Sequence, residues 1–223
     1  MQCPPHPSPS STHMQNRHTQ KDAGKQATLG EIFATAVVDG APTGFALAQM
    51  HGTDKPLLWV QDRLSRREAG RPYLAGLYPV RDIIHVDVSR AIDVLWAMEE
   101  GLRCRDLCGV IGEVWGDPQA LDFTATKRLA LRAEANTVPA WLIRRAAHPN
   151  LSAARERWTV SSLPSMALPY DNRAPGQPLW QADLFRARWR APGQWVAHYD
   201  DSTGLVLQHG TADDQAQASA MQA

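Results

Sequence analysis

The chain has 223 residues, 43 % of them hydrophobic, enough for one well-buried core with a small appendage and too few for two large domains. Lysine plus arginine and aspartate plus glutamate each total 23, so the formal net charge is zero, no global attraction to nucleic acid or to a membrane follows, and any basic function is local. Three cysteines, Cys3, Cys104 and Cys108, form neither a CxxC pair nor an even-numbered framework, which gives no basis for a disulfide scaffold or a zinc cage and points to a reducing compartment.

Residues 1–27 are dominated by Pro, Ser, His, Gln and Thr, with almost nothing to bury, and are expected to be a disordered tail. They hold no apolar segment of the signal type, and nowhere does the chain offer the ~20 apolar residues of a membrane span, so a soluble cytoplasmic protein is expected. EIFATAVV (31–38) reads as a strand, followed by the loop DGAPTGFALAQ (39–49) and a short helix, FALAQMHG, ending at Gly52. PLLWVQD (56–62) is a continuous apolar run of the kind a sheet buried on both faces needs. An Arg-rich polar connection and the turn-like YLAGLYPV lead to a third strand, RDIIHVDV (81–88).

SRAIDVLWAMEEGLRCRDL is the clearest helix, with Ser89 as N-cap and Ile92, Leu95, Trp96 and Met98 to Leu102 at helical spacing. CGVIGEVWG (108–116) is the next strand. TATKRLALRAEANT is an amphipathic helix carrying Leu129, Leu131 and Ala133, and AWLIRRA (140–146) is the strand after it. Beyond His148 the texture changes to strands without helices: RERWTVSSLPS, LWQADLFRARW, QWVAHYDD and GLVLQHG. Turn pairs at Pro175-Gly176, Pro192-Gly193 and Thr203-Gly204 separate them. The expected organisation is an α/β core over 28–148, a β extension over 149–209 and a polar, frayed tail over 210–223.

A mostly parallel sheet flanked by helices and ending in an antiparallel β extension resembles the RecA-type ATPase core, and that likeness makes the first loop testable by position. If Gly44 is the last glycine of G-x-x-x-x-G-K-[ST], Asp39 replaces the first glycine, Phe45 the lysine and Ala46 the metal-binding hydroxyl. Phe and Ala neither neutralise outer phosphates nor hold a metal, and Asp39 would repel phosphate. In GVIGEV the metal-directing position falls on Gly112, with Glu113 one residue out of phase and expected on the opposite face of the strand. Arg144 and Arg145 stand where such cores carry a polar γ-phosphate sensor.

The runs HVDVSRAIDVLWAMEEGLRC, GVIGEVWGDPQALDFTATKRLALRAEANTVPAWLIR and SAARERWTVSSLPS resemble the ImuA family of RecA-like mutagenesis proteins, as do LLWVQD, YLAGL and LWQADLFRARW. The likeness spans about Leu29 to Tyr199. It implies a non-catalytic partner of ImuB, a Y-family polymerase relative, and through it of an error-prone C-family DNA polymerase, in damage-induced translesion synthesis (the SOS response). It implies no cofactor, since several branches of the family keep the fold and lose the nucleotide. A RecA-like core also implies self-association through sheet edges.

Surfaces then have to carry function. In LFRARWR, Arg186, Arg188 and Arg190 share one strand face and Phe185, Ala187 and Trp189 the other, which reads either as a basic ribbon for DNA phosphates or an acidic partner, or as an edge strand with guarding charges and a buried aromatic face; the second is preferred. RLSRREAGR sets Arg63, Arg66, Arg67 and Arg71 in a loop at the carboxyl ends of the strands, either as a site for an anionic partner or as a solvated connection. QADLF (181–185) resembles a sliding-clamp motif, but it opens a strand, so Leu184 or Phe185 is expected in the core. Cys104 with Cys108 and His85 with Asp87 lack the partners that metal or acid–base chemistry needs, and Glu99 and Glu100, adjacent on a helix, point in different directions and form no carboxylate dyad. Core packing is expected to account for most of Trp59, Trp96, Trp115, Trp141, Trp158 and Trp180.

Two alternatives stand beside the accessory-protein expectation. One is a weak ATP-dependent recombinase-like protein using Glu113 and an arginine. The other is a RecA-binding regulator of the damage response.

Overall fold

The computed structural model describes residues 27–71, 73, 82–168 and 170–210. Apart from Ala27, Tyr73 and Gly210, both expected tails and the YLAGLYPV turn lie outside the described residues. Strands and helices alternate through β1 (Leu29–Ala34), α1 (Ala41–Ala48), β2 (Leu57–Asp62), α2 (Arg63–Ala69), β3 (Ile83–Val88), α3 (Ala91–Gly101), β4 (Gly109–Trp115), α4 (Phe123–Asn136) and β5 (Ala140–Arg145). Strands alone follow: β6 (Glu156–Leu163), β7 (Ala167–Leu168), β8 (Asp171–Pro175), β9 (Leu179–Ala187), β10 (Gly193–Asp200) and β11 (Gly204–His209).

One sheet runs in the order β11-β10-β9-β6-β1-β5-β4-β2-β3, parallel from β6 to β3 and antiparallel through β9, β10 and β11. The protein is therefore α/β, with a large, mostly parallel sheet and antiparallel strands at its C-terminal end. The first strand after His148, β6, still pairs parallel with β1, so antiparallel pairing begins only at β9. β7 and β8 form a separate ribbon that the sequence patterns do not announce.

Packing fixes which face of each element is buried. Val94, Leu95, Met98 and Leu102 near and on α3, with Leu129, Ala130 and Ala133 on α4, cover Leu58, Val60, Val110 and Leu142 on one face of the sheet. On the other face α1 brings Phe45 and Ala46 against Ile32, Ile111, Trp141, Trp158 and Trp180. β10 and β11 also touch α1, so the sheet curls around this helix; His51 Nδ1 lies 3.1 Å from the Tyr199 hydroxyl across that closure. Full burial of each such large side chain contributes roughly 1.5–3 kcal/mol.

Several sequence expectations need correction. β1 stops at Ala34, because the amide of Asp39 turns back to the Ala36 carbonyl at 3.1 Å; Val37 and Val38 are exposed at this turn in spite of their strand-like character. The Arg-rich connection is helical over its first seven residues: the Asp62 carboxylate accepts the Ser65 amide at 2.7 Å and starts α2, and Gly70, at φ 78°, ends it. Ser89 does not cap α3. Arg90 holds that position without a side-chain cap and pairs with Asp93 at 2.8 Å instead. Ile92 and Trp96 lie on the solvent side of α3, Trp96 at 66 % exposure, so this tryptophan is not core; Leu131 of α4 is likewise exposed.

Candidate functional site

The loop between β1 and α1 opens at the carboxyl ends of the parallel strands, where open α/β sheets gather ligands. Of the four phosphate-loop positions only Asp39 lies in this loop; the helix starts at Ala41, earlier than the sequence suggests, so Gly44, Phe45 and Ala46 fall inside α1, and all four have packing or hydrogen-bonding partners of another kind. Phe45 is fully buried, with ring centroids 5.2 Å from Trp158, 6.3 Å from Trp180 and 6.4 Å from Trp141. A Cβ on Gly44 would come within 2.7 Å of the Trp180 ring, so close ring packing accounts for this glycine. Ala46 is buried in the same cluster. Asp39 accepts the Ala41 amide at 2.8 Å, the Ser162 amide at 2.8 Å and the Ser162 hydroxyl at 2.5 Å, which ties the loop to β6. Burial alone would raise the Asp39 carboxyl, but those hydrogen bonds, with Arg145 nearby, hold it below its ordinary value.

Arg145 fills the loop from within. It donates Nη1 to the carbonyls of Val37 and Asp39, both at 2.8 Å, Nη2 to the Thr43 hydroxyl at 3.1 Å, and Nε to Glu113. A phosphate loop aims backbone amides at its ligand. Here carbonyl oxygens converge instead on a guanidinium supplied by the chain, a lining that suits a cation and not a triphosphate. Just after Arg145 the backbone enters the left-handed region at Ala146, φ 47°, a conformation an alanine adopts at a cost of roughly 1–2 kcal/mol.

The phase of β4 is the reverse of the sequence expectation. Val110, Gly112 and Val114 face α3 and α4, with Met98 packed directly over Gly112; Glu113 therefore points to the loop side. Its second oxygen accepts Gln61 Nε2 at 2.6 Å, and Gln61 Oε1 meets His85 Nε2 at 2.7 Å. His85, Gln61, Glu113, Arg145 and the loop carbonyls thus form one polar row across β3, β2, β4, β5 and the end of β1, one group per strand in sheet order. Burial keeps the His85 ring below the ordinary histidine pKa, against the pull of Asp87. Gln61 is the residue that the sequence analysis misses, although a glutamine inside the apolar run LLWVQD is a visible signal, and it supplies the partner that His85 lacks there.

A second buried cluster sits on the α4 face. Arg157 Nε donates to Glu31 at 2.6 Å, Arg144 Nη2 donates to Asp117 at 2.7 Å, and both guanidiniums lie over the Phe33 ring at 5.3–5.4 Å. Arg144 is thereby separated from the loop, which Arg145 alone occupies.

The remaining arginines divide between paired and free. Arg66 and Arg71 both bind Asp87, and Arg67 reaches Glu68 at 3.2 Å; Arg63 stands exposed on α2. β9 is an interior strand between β6 and β10, not an edge. Its register slips where Arg157 and Trp158 meet it, leaving Phe185 unpaired against Phe33 and Arg157 while Ala187 packs with the aromatic core, so Phe185 and Ala187 do not share a face. The strand ends at Ala187, and the three arginines do not form one ribbon: Arg190 folds back to Glu156 at 3.1 Å, and Arg186 and Arg188 are exposed. Leu184 of the QADLF run is fully buried, as expected. Among the described residues no three His, Cys, Asp or Glu side chains converge as a metal site, and no helix is long and apolar enough to cross a membrane.

No protein-family model matches this chain, and no curated protein matches it.

Proposed function

We propose that this chain is a non-catalytic, RecA-like accessory protein of a damage-induced, error-prone translesion DNA synthesis assembly, acting in the cytoplasm by binding an ImuB-like polymerase relative. Arg145 carries the nucleotide-independent part of the reading: the guanidinium takes the loop interior, and Phe45, in the lysine position, is committed to an aromatic cluster. The partner part rests on the resemblance of the long stretches from Leu29 to Tyr199 to the ImuA family. An error-prone C-family polymerase is then reached through the ImuB-like protein, and RecA is the alternative direct partner.

Co-expression with an ImuB-like protein, followed by affinity capture and light scattering, tests the reading. A stoichiometric complex is expected. Absence of a complex, with capture of RecA under the same conditions, replaces it by the reading of a RecA-binding regulator.

A further inference from the structure

Between β5 and β6 the chain crosses the α4 face of the sheet, and its last part, Ser152 to Arg155, runs beside the end of β9. The two segments leave an open cleft of about 300 Å³, with Phe123 at one rim and Arg186 and Arg188 at the other. The Arg188 amide donates to the Arg155 carbonyl at 2.9 Å and Arg186 stands opposite Arg157 in register, so backbone pairing fixes the arginine side of the cleft.

The polar groups around this cleft are unequally spent. Arg155 is bound to Glu134 at 2.7 and 3.2 Å, Arg157 to Glu31, and Arg190 to Glu156. The Ala153 and Ala154 amides already donate to the hydroxyls of Thr126 and Ser152. Arg186 and Arg188 form no ion pair among the described residues, although Glu134 feels the charge of Arg188. Phe123, at the first turn of α4, is 42 % exposed. What remains for a ligand is two exposed guanidiniums and an aromatic face, with every carboxylate named here bonded to another arginine.

We infer that this cleft binds single-stranded nucleic acid, Arg186 and Arg188 taking backbone phosphates and Phe123 stacking on a base. Guanidinium forks suit phosphate, and sequence-tolerant strand binding pairs such cations with an exposed aromatic platform. An acidic peptide would use the arginines and leave Phe123 idle. A duplex is disfavoured because α4 is packed flat on the sheet and projects no element into a groove. The inference stands apart from the partner reading, since it concerns the protein alone.

Fluorescence anisotropy of labelled oligothymidylate with the full chain tests it. Replacing both arginines (Arg186→Ala with Arg188→Ala) is expected to weaken binding about ten-fold or more and to flatten the slope of log K against log salt by about 1.4, two phosphates at ~0.7 each. Phe123→Ala is expected to weaken binding about ten-fold without changing that slope. All three side chains are exposed, and a melting curve for each variant verifies the fold. The inference is overturned by absence of binding at low salt, by an equal loss in the Arg63→Ala, Arg67→Ala control on α2, or by a neutral Phe123→Ala together with displacement by polyglutamate, which would identify an acidic-protein surface.

Discussion

Arg145 and Glu113 face each other from β5 and β4 as an ion pair no more than 3 % exposed, and the same guanidinium holds the carbonyls of Val37 and Asp39. Loop, sheet and charge are thus one unit, and perturbing any of them should be felt by the rest.

Removing one member strands a buried charge. Arg145→Ala and Glu113→Ala are each expected to lower stability by about 3–5 kcal/mol, and the double variant by well under their sum. Urea unfolding of the four proteins measures the coupling; additive losses would contradict a formed pair.

Restoring the lysine should not restore a phosphate loop. Phe45→Lys places an ammonium among Trp141, Trp158 and Trp180 and is expected to cost at least the roughly 3–5 kcal/mol of a Phe-to-Ala truncation. Calorimetry with MgATP is expected to show no heat for the wild-type chain, and none for this variant if it folds. Saturable binding by the wild type would overturn the nucleotide-independent reading.

Among the groups that give stability a pH profile, His85 and Asp200 act in separate windows. Burial keeps His85 below its ordinary pKa of 6.5, with Arg71 and Arg66 adding to the lowering and Asp87 opposing it. The unfolded chain then binds that proton more readily than the folded one, so stability is intact above about 6.5 and falls as pH drops below it. Hydrogen bonds from the Ser202 and Thr203 side chains hold Asp200 at about 2, against an ordinary 3.8. Its contribution is present above 3.8 and is lost between there and about 2. Melting temperature against pH should fall less steeply below about 6.5 in His85→Gln, where His198, lowered by its own burial, supplies the rest, and less steeply below 3.8 in Asp200→Asn, where Asp39, Asp87 and Asp117 also contribute.

Tryptophans on the two faces should behave oppositely. Trp158→Ala is expected to cost about 3–5 kcal/mol, and Trp96→Ala to stay within about 0.5 kcal/mol. Gly44→Ala, a single methyl pushed toward Trp180, should cost about 1–3 kcal/mol. Equal losses at Trp96 and Trp158 in thermal unfolding would contradict the burial described.

The layer order of the fold was legible because apolar runs and amphipathic helices alternate through to β5, and turn pairs mark the later strands. The phase of β4 was not, because both sides of GVIGEV carry buried apolar residues, Val110 and Val114 on one and Ile111 on the other, and the packing of Met98, from α3, over Gly112 shows which side faces the helices. On α3, Ile92 and Trp96 interrupt the side that Asp93, Glu99 and Glu100 mark as polar, so a list of apolar residues at helical spacing takes in two that are exposed. Asp39 looked like a lost glycine. Its partner, Ser162, lies 123 residues away, and no local pattern encodes that pairing. The bulge at Phe185 likewise depends on how β9 meets β6, and it dissolved the alternation that LFRARWR suggests.

The curl of the late strands around α1 bears on how the chain acquires its structure. Phe45 is made early in synthesis, but Trp158 and Trp180, which enclose it, and Tyr199, which meets His51, are made much later. A nascent chain that has reached β5 can pair its parallel strands but holds α1 against an unfinished wall. Contacts of such long sequence separation slow folding and leave apolar surface open meanwhile. The C-terminal strands therefore act as the closing step for the oldest part of the chain, and a ribosome-bound product truncated before β9 should present that open face to chaperones.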